Sequence, residues 1–183
     1  MSIPSSYNIG YNWSDSATYT LVIDKTNSNP ETACSYADDA TGMIKGTSGW
    51  DTMPIFKDIR PCVFSGGQVN YYLNPNNWDE KVDGTASCLT GEDGDVMIEF
   101  PKFAYKIKTE GTFITVSVSN DNSVISNDAD YTYDAFSRLV EGDLGHFYKG
   151  AFKGYIDGNG KLRSIAGVKP TVGTSLVSAR TAA

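Results

Sequence analysis

Alternation of apolar and polar residues with a period of two is the feature that most restricts the fold of this 183-residue chain. Between residues 102 and 108, an aromatic or aliphatic side chain stands at every second position, with lysine or alanine between. After a Thr-Glu-Gly break, the alternation resumes over residues 114–119. Because successive side chains of a strand point to opposite faces of a sheet, this pattern predicts an antiparallel hairpin with one buried and one solvated face.

Two more hairpins are indicated by turn sequences between apolar runs. Residues 61–64 and 68–73 flank a Ser-Gly-Gly tripeptide, where glycine permits the positive φ of a tight turn. Residues 147–156 and 161–165 flank Asp-Gly-Asn-Gly, a strong hairpin signal. We therefore predict a mainly β fold of antiparallel hairpins, a twisted β-sandwich or small barrel, with one or two short helices.

The remaining segments are assigned from shorter patterns. Residues 7–13 and 19–23 alternate around a Ser-Asp-Ser break, which indicates another pair of strands. Pro30, at the start of a turn-rich region, is a common residue at a helix start. The pattern predicts short helices within Glu31–Ala40, around Tyr133, Phe136 and Val140, and from Thr174 to Arg180, and a polar loop over Asn120–Asp130.

Composition excludes several classes of protein. Hydrophobic residues make up 40% and charged residues 20%, which is typical of a globular chain and not of a disordered one. A net charge of -7 would repel duplex nucleic acid and anionic membranes, so neither is expected as a partner. The start of the chain lacks the pattern of a secretory signal, and no apolar run is long enough to cross a bilayer. We expect a product made in the cytoplasm, without membrane insertion.

The residues able to carry chemistry are few and scattered. Cys34, Cys62 and Cys88 are widely spaced, which argues against a disulfide framework or zinc ribbon and favours buried free thiols. His146 is the single histidine, and no nucleophile motif surrounds it. We therefore predict no catalytic residue, no cofactor site and no metal site.

Glu92, Asp93 and Asp95 could offer oxygen ligands to calcium, but their spacing does not fit an EF-hand and favours a plain turn.

Aromatic residues in or near turn-rich segments are the candidate ligand contacts. Trp50, Trp78 and Tyr72 could stack on sugar rings, because aromatic side chains combine a large apolar face with a polar group. The alternative is ordinary packing in the core or between subunits.

Residues 74–103 contain an ordered series of phrases: Asn-Pro followed by Trp78, then Asp83-Gly84, then GEDGDVMIEFPKF from Gly91 to Phe103. This series resembles a module of structural proteins of tailed bacteriophages and prophages, in which it precedes a terminal receptor-recognition domain. The segments 23–43 and 150–170 resemble the opening and the end of that module, so the resemblance covers about residues 19–180.

The resemblance implies a division into three parts. Residues 1–18 form an N-terminal arm with an added strand, residues 19–168 the β-rich module, and residues 169–183 a linker and the start of a helix. In the resembling proteins this helix leads into a C-type-lectin-like domain related to formylglycine-generating enzymes, which would follow Ala183.

The implied function is structural and adhesive. The resemblance indicates a virion protein of a tail, baseplate or fibre that joins the particle to a host receptor-binding apparatus or forms part of it, and not an enzyme. Its partners would be other virion proteins and copies of itself, with a trimer favoured. The alternatives are a carbohydrate-binding module for host surface polysaccharide, a head fibre or capsid decoration protein, and an enzyme of formylglycine-generating or depolymerase type.

Overall fold

The computed structural model describes residues 15–138 and 142–183. The predicted mainly β class, with antiparallel hairpins and two short α-helices, is confirmed. The predicted arm and its strand at residues 7–13 lie almost entirely outside the described residues. The chain divides into two compact units, each made of two separate segments: unit 1 runs up to Phe56 and over Phe103–Tyr133, and unit 2 comprises Lys57–Lys102 and Asp134–Ala183.

Thirteen strands and two α-helices are formed by the described residues. In chain order they are β1 Thr18–Asp24, β2 Cys34–Asp38, β3 Arg60–Ser65, β4 Gln68–Asn74, β5 Asn77–Lys81, β6 Asp95–Pro101, β7 Ala104–Glu110, β8 Phe113–Ser119, α1 Asn122–Ser126, β9 Ser137–Arg138, β10 Gly142–Asp143, β11 His146–Gly150, β12 Tyr155–Ile156, β13 Leu162–Arg163 and α2 Leu176–Ala182. Two 3-10 helices lie at Ser48–Thr52 and Phe56–Asp58.

Unit 1 contains a four-stranded antiparallel sheet in the order β2-β1-β8-β7. The hairpin predicted from the alternation is β7–β8, which pairs in register from Ala104 opposite Ser119 to Glu110 opposite Phe113. One face of the sheet carries Tyr19 and packs on a core in which Ala17, Ala40 and Ile55 are also buried. Partly buried side chains complete this core: Tyr36, Trp50, Met53, Phe56, Phe103 and Val118.

Unit 2 contains a five-stranded antiparallel sheet in the order β11-β6-β3-β4-β5 and two short two-stranded ladders, β9–β10 and β12–β13. Val63, Leu73 and Val96 are buried on one face of the large sheet. Tyr71, Trp78, Leu89, Ala151 and Phe152 pack against them. Each of the two large sheets is open in the part of the chain described, so neither unit contains a closed barrel there.

Two helix predictions were wrong. Cys34–Asp38, inside the predicted helix at 31–40, is strand β2 and pairs with β1. The segment Tyr133–Phe136 forms turns and runs into β9, while a helix, α1, forms at Asn122–Ser126 where a loop was predicted. The physical reason is a cap: the Asp121 carboxylate accepts the Ser123 N–H and satisfies a donor of the first turn. The C-terminal helix is confirmed as α2, with Ser175 as its N-cap.

The three cysteines are free, as predicted, but Cys62 is the one that is buried, whereas Cys34 and Cys88 are partly exposed. Neither helix of the described residues is long and apolar enough to cross a membrane.

Candidate functional site

The three aromatic residues proposed as sugar contacts are separated by the fold. Trp50 belongs to the core of unit 1, where its ring packs edge-on against Tyr36 and Phe56 at centroid distances of 5.2 Å. Trp78 and Tyr72 belong to unit 2 and lie on neighbouring strands of its large sheet.

Trp78 and Tyr72 face opposite sides of that sheet. Trp78 packs on the buried apolar face and meets the Phe152 ring edge-on at 6.2 Å. Tyr71 faces the same side, so its neighbour Tyr72 points to the other side, in line with Cys62, its partner in register. The two side chains therefore do not form one stacking platform.

A polar cluster around Glu99 occupies the face that carries Tyr72. Glu99 lies on the interior strand β6, directly opposite Arg60 on β3 and Tyr148 on β11. Its side chain is only 2% exposed. Arg60 Nη2 donates to Oε1 at 2.6 Å, Tyr148 Oη donates to Oε2 at 2.9 Å, and Tyr72 Oη lies 3.1 Å from Oε2. The Arg60 guanidinium also covers the Tyr72 ring at 3.9 Å from its centroid.

In this cluster Glu99 is paired with Arg60, and the neighbouring Tyr148 and Cys62 stay uncharged. Burial raises the pKa of Tyr148, and its hydrogen bond to Glu99 raises it further, so the phenol stays a donor. Burial, reinforced by the Glu99 charge, also raises the pKa of the Cys62 thiol to about 12. A thiol with this pKa is protonated at neutral pH and is a poor nucleophile. The side chains of the cluster come from β3, β4, β6 and β11, so their hydrogen bonds link four strands.

The loop that leads into β6 is fixed by close contacts. A Cβ on Gly94 would lie 2.3 Å from the Phe64 carbonyl oxygen, so only glycine fits at this crossing. Tyr71 Oη donates to Asp93 Oδ2 at 2.8 Å and accepts the Cys88 N–H at 3.0 Å. Asp93, one of the candidate calcium ligands, is thus used to fasten the loop.

The same region binds a segment far away in sequence. Asp95 Oδ1 accepts Arg163 Nε at 2.9 Å and the Ser164 N–H at 2.8 Å. Arg163 Nη2 reaches the Gly91 carbonyl at 3.0 Å, and the Val96 N–H donates to the Ser164 carbonyl at 2.7 Å. Asp93 and Asp95, for which the sequence favoured a plain turn role, thus hold segments that are distant along the chain. Within the described residues, no group of three or more His, Cys, Asp or Glu side chains is arranged to hold a metal ion.

His146 lies at the start of β11, where it pairs in register with Pro101 and its ring meets the Tyr148 ring at 5.0 Å. Glu99, Arg60 and Tyr148 were not singled out from the sequence as a site, and Tyr72 was named there only as a possible sugar contact. The partners stand 12 to 49 residues apart along the chain. The sequence signal that could have found them is the single charged residue, Glu99, in the otherwise apolar run 96–101.

Comparisons with known proteins add no assignment: no family model matches the chain, and no curated protein or solved structure is similar enough to match it.

Proposed function

We propose that this protein is a structural component of a tailed-bacteriophage or prophage virion. It acts in a tail, baseplate or fibre and connects the particle to the host receptor-binding apparatus or forms part of it. The proposal rests on the sequence resemblance, and one structural observation supports it. Phrases that carry the resemblance, at residues 87–101 and 150–168, are fastened to each other in unit 2.

This fastening explains why such phrases would recur together. The Ala166 N–H donates to the Leu89 carbonyl at 2.9 Å, and Ser164 Oγ donates to the Val96 carbonyl at 2.7 Å. Gly91 and Asp95 have structural roles in the same contact. Residues that contact each other in one fold must be present together. Chance matches to turn-rich sequence would not be expected to contact each other in the folded chain.

The test is the composition of purified particles. Virions from the phage or induced prophage that encodes this chain should contain it in fixed proportion to the major capsid protein, as measured by quantitative mass spectrometry. Immunogold labelling should then place it at the tail, baseplate or fibre. Labelling of the head would favour the head-fibre or capsid-decoration alternative, and absence from gradient-purified particles would contradict a virion role.

The proposed assembly is a homotrimer. Fibre-type proteins gain avidity from closed symmetry, because several weak contacts act together on one surface. Native mass spectrometry of the purified protein should give three 19.8 kDa chains. A monomer at all concentrations up to those reached in particles would contradict the trimer while leaving virion incorporation to its own test.

The proposed role is non-catalytic. Its support is the sequence resemblance, together with the use of the buried Glu99 carboxylate in an ion pair with Arg60 at 2.6 Å. A turnover assay on bacterial cell-wall and capsular glycans should show no cleavage. Products that disappear on Glu99→Gln would favour an enzyme of depolymerase type.

The second candidate function is carbohydrate binding. Contacts through Trp50, Trp78 or Tyr72 would be detected by quenching of tryptophan fluorescence in a saccharide titration, with loss of the response in Trp78→Ala. Because Trp78 and Tyr72 point to opposite faces of their sheet, these residues give the candidate less support than the polar cavity of unit 1 described next.

A further inference from the structure

The sheet of unit 1 has a polar face, opposite to its core, that lines an open cavity of about 630 Å³. The floor is made by Thr18 and Thr20 of β1 and Ser117 of β8, side chains that are 8%, 7% and 3% exposed. The end of β2, Lys106 of β7 and the segment that follows β8 form the walls. The size is that of a small-molecule pocket.

The hydroxyl protons of Ser117 and Thr20 on the floor are used in hydrogen bonds that run toward Asp38. Thr20 Oγ1 donates to Asp38 Oδ2 at 2.5 Å and lies 2.7 Å from Ser117 Oγ. Because the single proton of Thr20 is used by Asp38, Ser117 must be the donor in the second bond. The floor therefore presents oxygen lone pairs to the cavity, and a ligand that lies on it must bring hydrogen-bond donors.

The walls add carboxylates and one ammonium group. Asp39 Oδ2 accepts the Thr18 N–H at 2.8 Å, and Asp38 and Asp39 form no ion pair with the described residues. Lys106 donates to Asp128 at 2.6 Å, and its ammonium lies 4.7 Å from the centroid of the Tyr131 ring. With Asp121, the lining holds four carboxylates and one lysine, so its formal charge is -3.

Each property of the lining restricts the ligand. Carboxylates with open oxygens accept hydrogen bonds from hydroxyl or amino groups, Lys106 can donate to a hydroxyl oxygen, and Tyr131 offers an aromatic surface to C–H groups. The negative field repels carboxylated or sulfated ligands, and the polar floor disfavours apolar ones. We propose that this cavity of unit 1 is a binding site for a saccharide that is neutral or carries an amine.

This site goes beyond the structural role proposed above and does not depend on it. Saccharide binding is measured on the purified full chain, whereas a virion role is decided by the composition of particles. Failure of one therefore leaves the other standing.

The test uses amide chemical-shift perturbation with three probes of equal length: maltotetraose as a neutral saccharide, chitosan tetramer as an amine-bearing one, and tetragalacturonate as an anionic one. The expected result is a saturable shift of amides at residues 18–20, 37–39 and 115–117 with at least one of the first two probes and none with the third. No saturable shift with either the neutral or the amine-bearing probe would overturn the proposal, as would binding of the anionic probe at the same amides.

The matched variants carry the same change of charge. Asp38→Asn with Asp39→Asn removes two carboxylates but keeps a carbonyl oxygen to accept from Thr20 and Thr18, so the fold is retained. The control, Glu31→Gln with Asp51→Asn, removes two exposed carboxylates of unit 1 outside the cavity. We expect at least tenfold weaker binding in the first variant and unchanged binding in the control. Equal affinity in the two variants would overturn the proposal.

Discussion

Single Asp side chains in this chain organise their own turns. Asp24, Asp83, Asp121 and Asp157 each accept, through one carboxylate oxygen, the backbone N–H of the residue two positions later. The pKa of each carboxyl lies below its usual 3.8 because hydrogen bonds favour the ionised form. The largest cause is the hydroxyl of the same residue two positions later for Asp24, Asp83 and Asp121, and the Lys161 N–H for Asp157, and the N–H bonds named above add to the effect. The abundance of Asp and Asn that suggested loops therefore reflects local backbone chemistry.

Glu99 has the opposite role, because it joins residues that are distant in sequence. Glu99→Ala would leave the Arg60 guanidinium and two phenols without their acceptor inside the sheet. We expect a loss of about 1.5–3 kcal/mol in the free energy of unfolding, the usual range for hydrogen bonds to a charged group, because Arg60 is 34% exposed and its charge stays partly hydrated. Urea denaturation followed by circular dichroism measures it.

The control for this prediction is Glu31→Gln, which changes an exposed glutamate and should leave the urea midpoint nearly unchanged. A loss in Glu99→Ala no larger than in this control would show that the cluster contributes little to stability.

Two tyrosines, the buried Tyr19 and the half-buried Tyr148, provide a matched pair. Tyr148 donates to Glu99, whereas Tyr19, which is 3% exposed, has a hydroxyl with no hydrogen-bond partner among the described residues. Tyr148→Phe should therefore destabilise the protein by about 1 kcal/mol, and Tyr19→Phe should be neutral or stabilising by up to about 1 kcal/mol. Thermal unfolding of both variants gives the sign directly. Equal destabilisation by the two changes would contradict the assignment of their hydroxyl groups.

At the scale of elements, the longer strands and tight turns were predictable, whereas among the α-helices of the described residues α2 was predicted and α1 was not. The hairpin β7–β8 and the Asp-Gly-Asn-Gly turn between β12 and β13 follow from local pattern. β2 and α1 were missed because each depends on a few contacts: β2 on pairing with β1 along its five residues, and α1 on one Asp121 cap. Such contacts outweigh the weak propensity of a five-residue segment.

The polar cluster was beyond local prediction for a related reason. Alternation predicts which side of a strand faces the core, but Glu99 and Tyr148 meet only because β11 pairs with β6 in one register. A shift of one residue would place them on opposite faces. The unit 1 cavity likewise needs β1, β2 and β8 in register before its hydroxyl and carboxylate groups converge.

Arg163 is predicted to hold the C-terminal part of unit 2 on β6. It binds Asp95 and the Gly91 carbonyl. The next residue, Ser164, forms hydrogen bonds with the Asp95 carboxylate and with both the N–H and the carbonyl of Val96. Arg163→Ala should raise amide hydrogen exchange at residues 162–166 by at least tenfold, while exchange in β7 and β8 stays unchanged. The matched control is Lys161→Ala, which removes a neighbouring exposed cation. Equal exchange in both variants would show that the backbone bonds suffice.

At the scale of the whole molecule, the order of residues along the chain does not follow the division into two units. Each unit is assembled from two segments, and the chain passes from one unit to the other three times, after residues 56, 102 and 133. Long-range pairing between separate segments has no signature in local sequence pattern, which is why the predicted continuous module at 19–168 gives no hint of two units.

The pH dependence of stability is the last prediction and belongs to the whole chain. The lowered pKa values of Asp24, Asp83, Asp121, Asp128 and Asp157 mean that the unfolded chain takes up protons first as the pH falls. Their contribution is fully present above about pH 5 and is lost as the pH falls through the folded pKa values, below about pH 4. On the alkaline side, burial raises the pKa of Tyr19 and Cys62 to about 12.

These two buried groups stabilise the fold below their unfolded pKa values of 10.0 and 9.0, and that contribution is lost as the pH rises toward about 12. Urea midpoints measured at constant ionic strength from pH 3 to pH 11 should therefore form a plateau between about pH 5 and pH 9 and fall on both sides. Tyr19→Phe should weaken the alkaline fall without changing the acidic one. A midpoint that rises toward pH 3, or an alkaline limb unaffected by Tyr19→Phe, would mean that these carboxylates and this phenol do not set the pH limits of the fold.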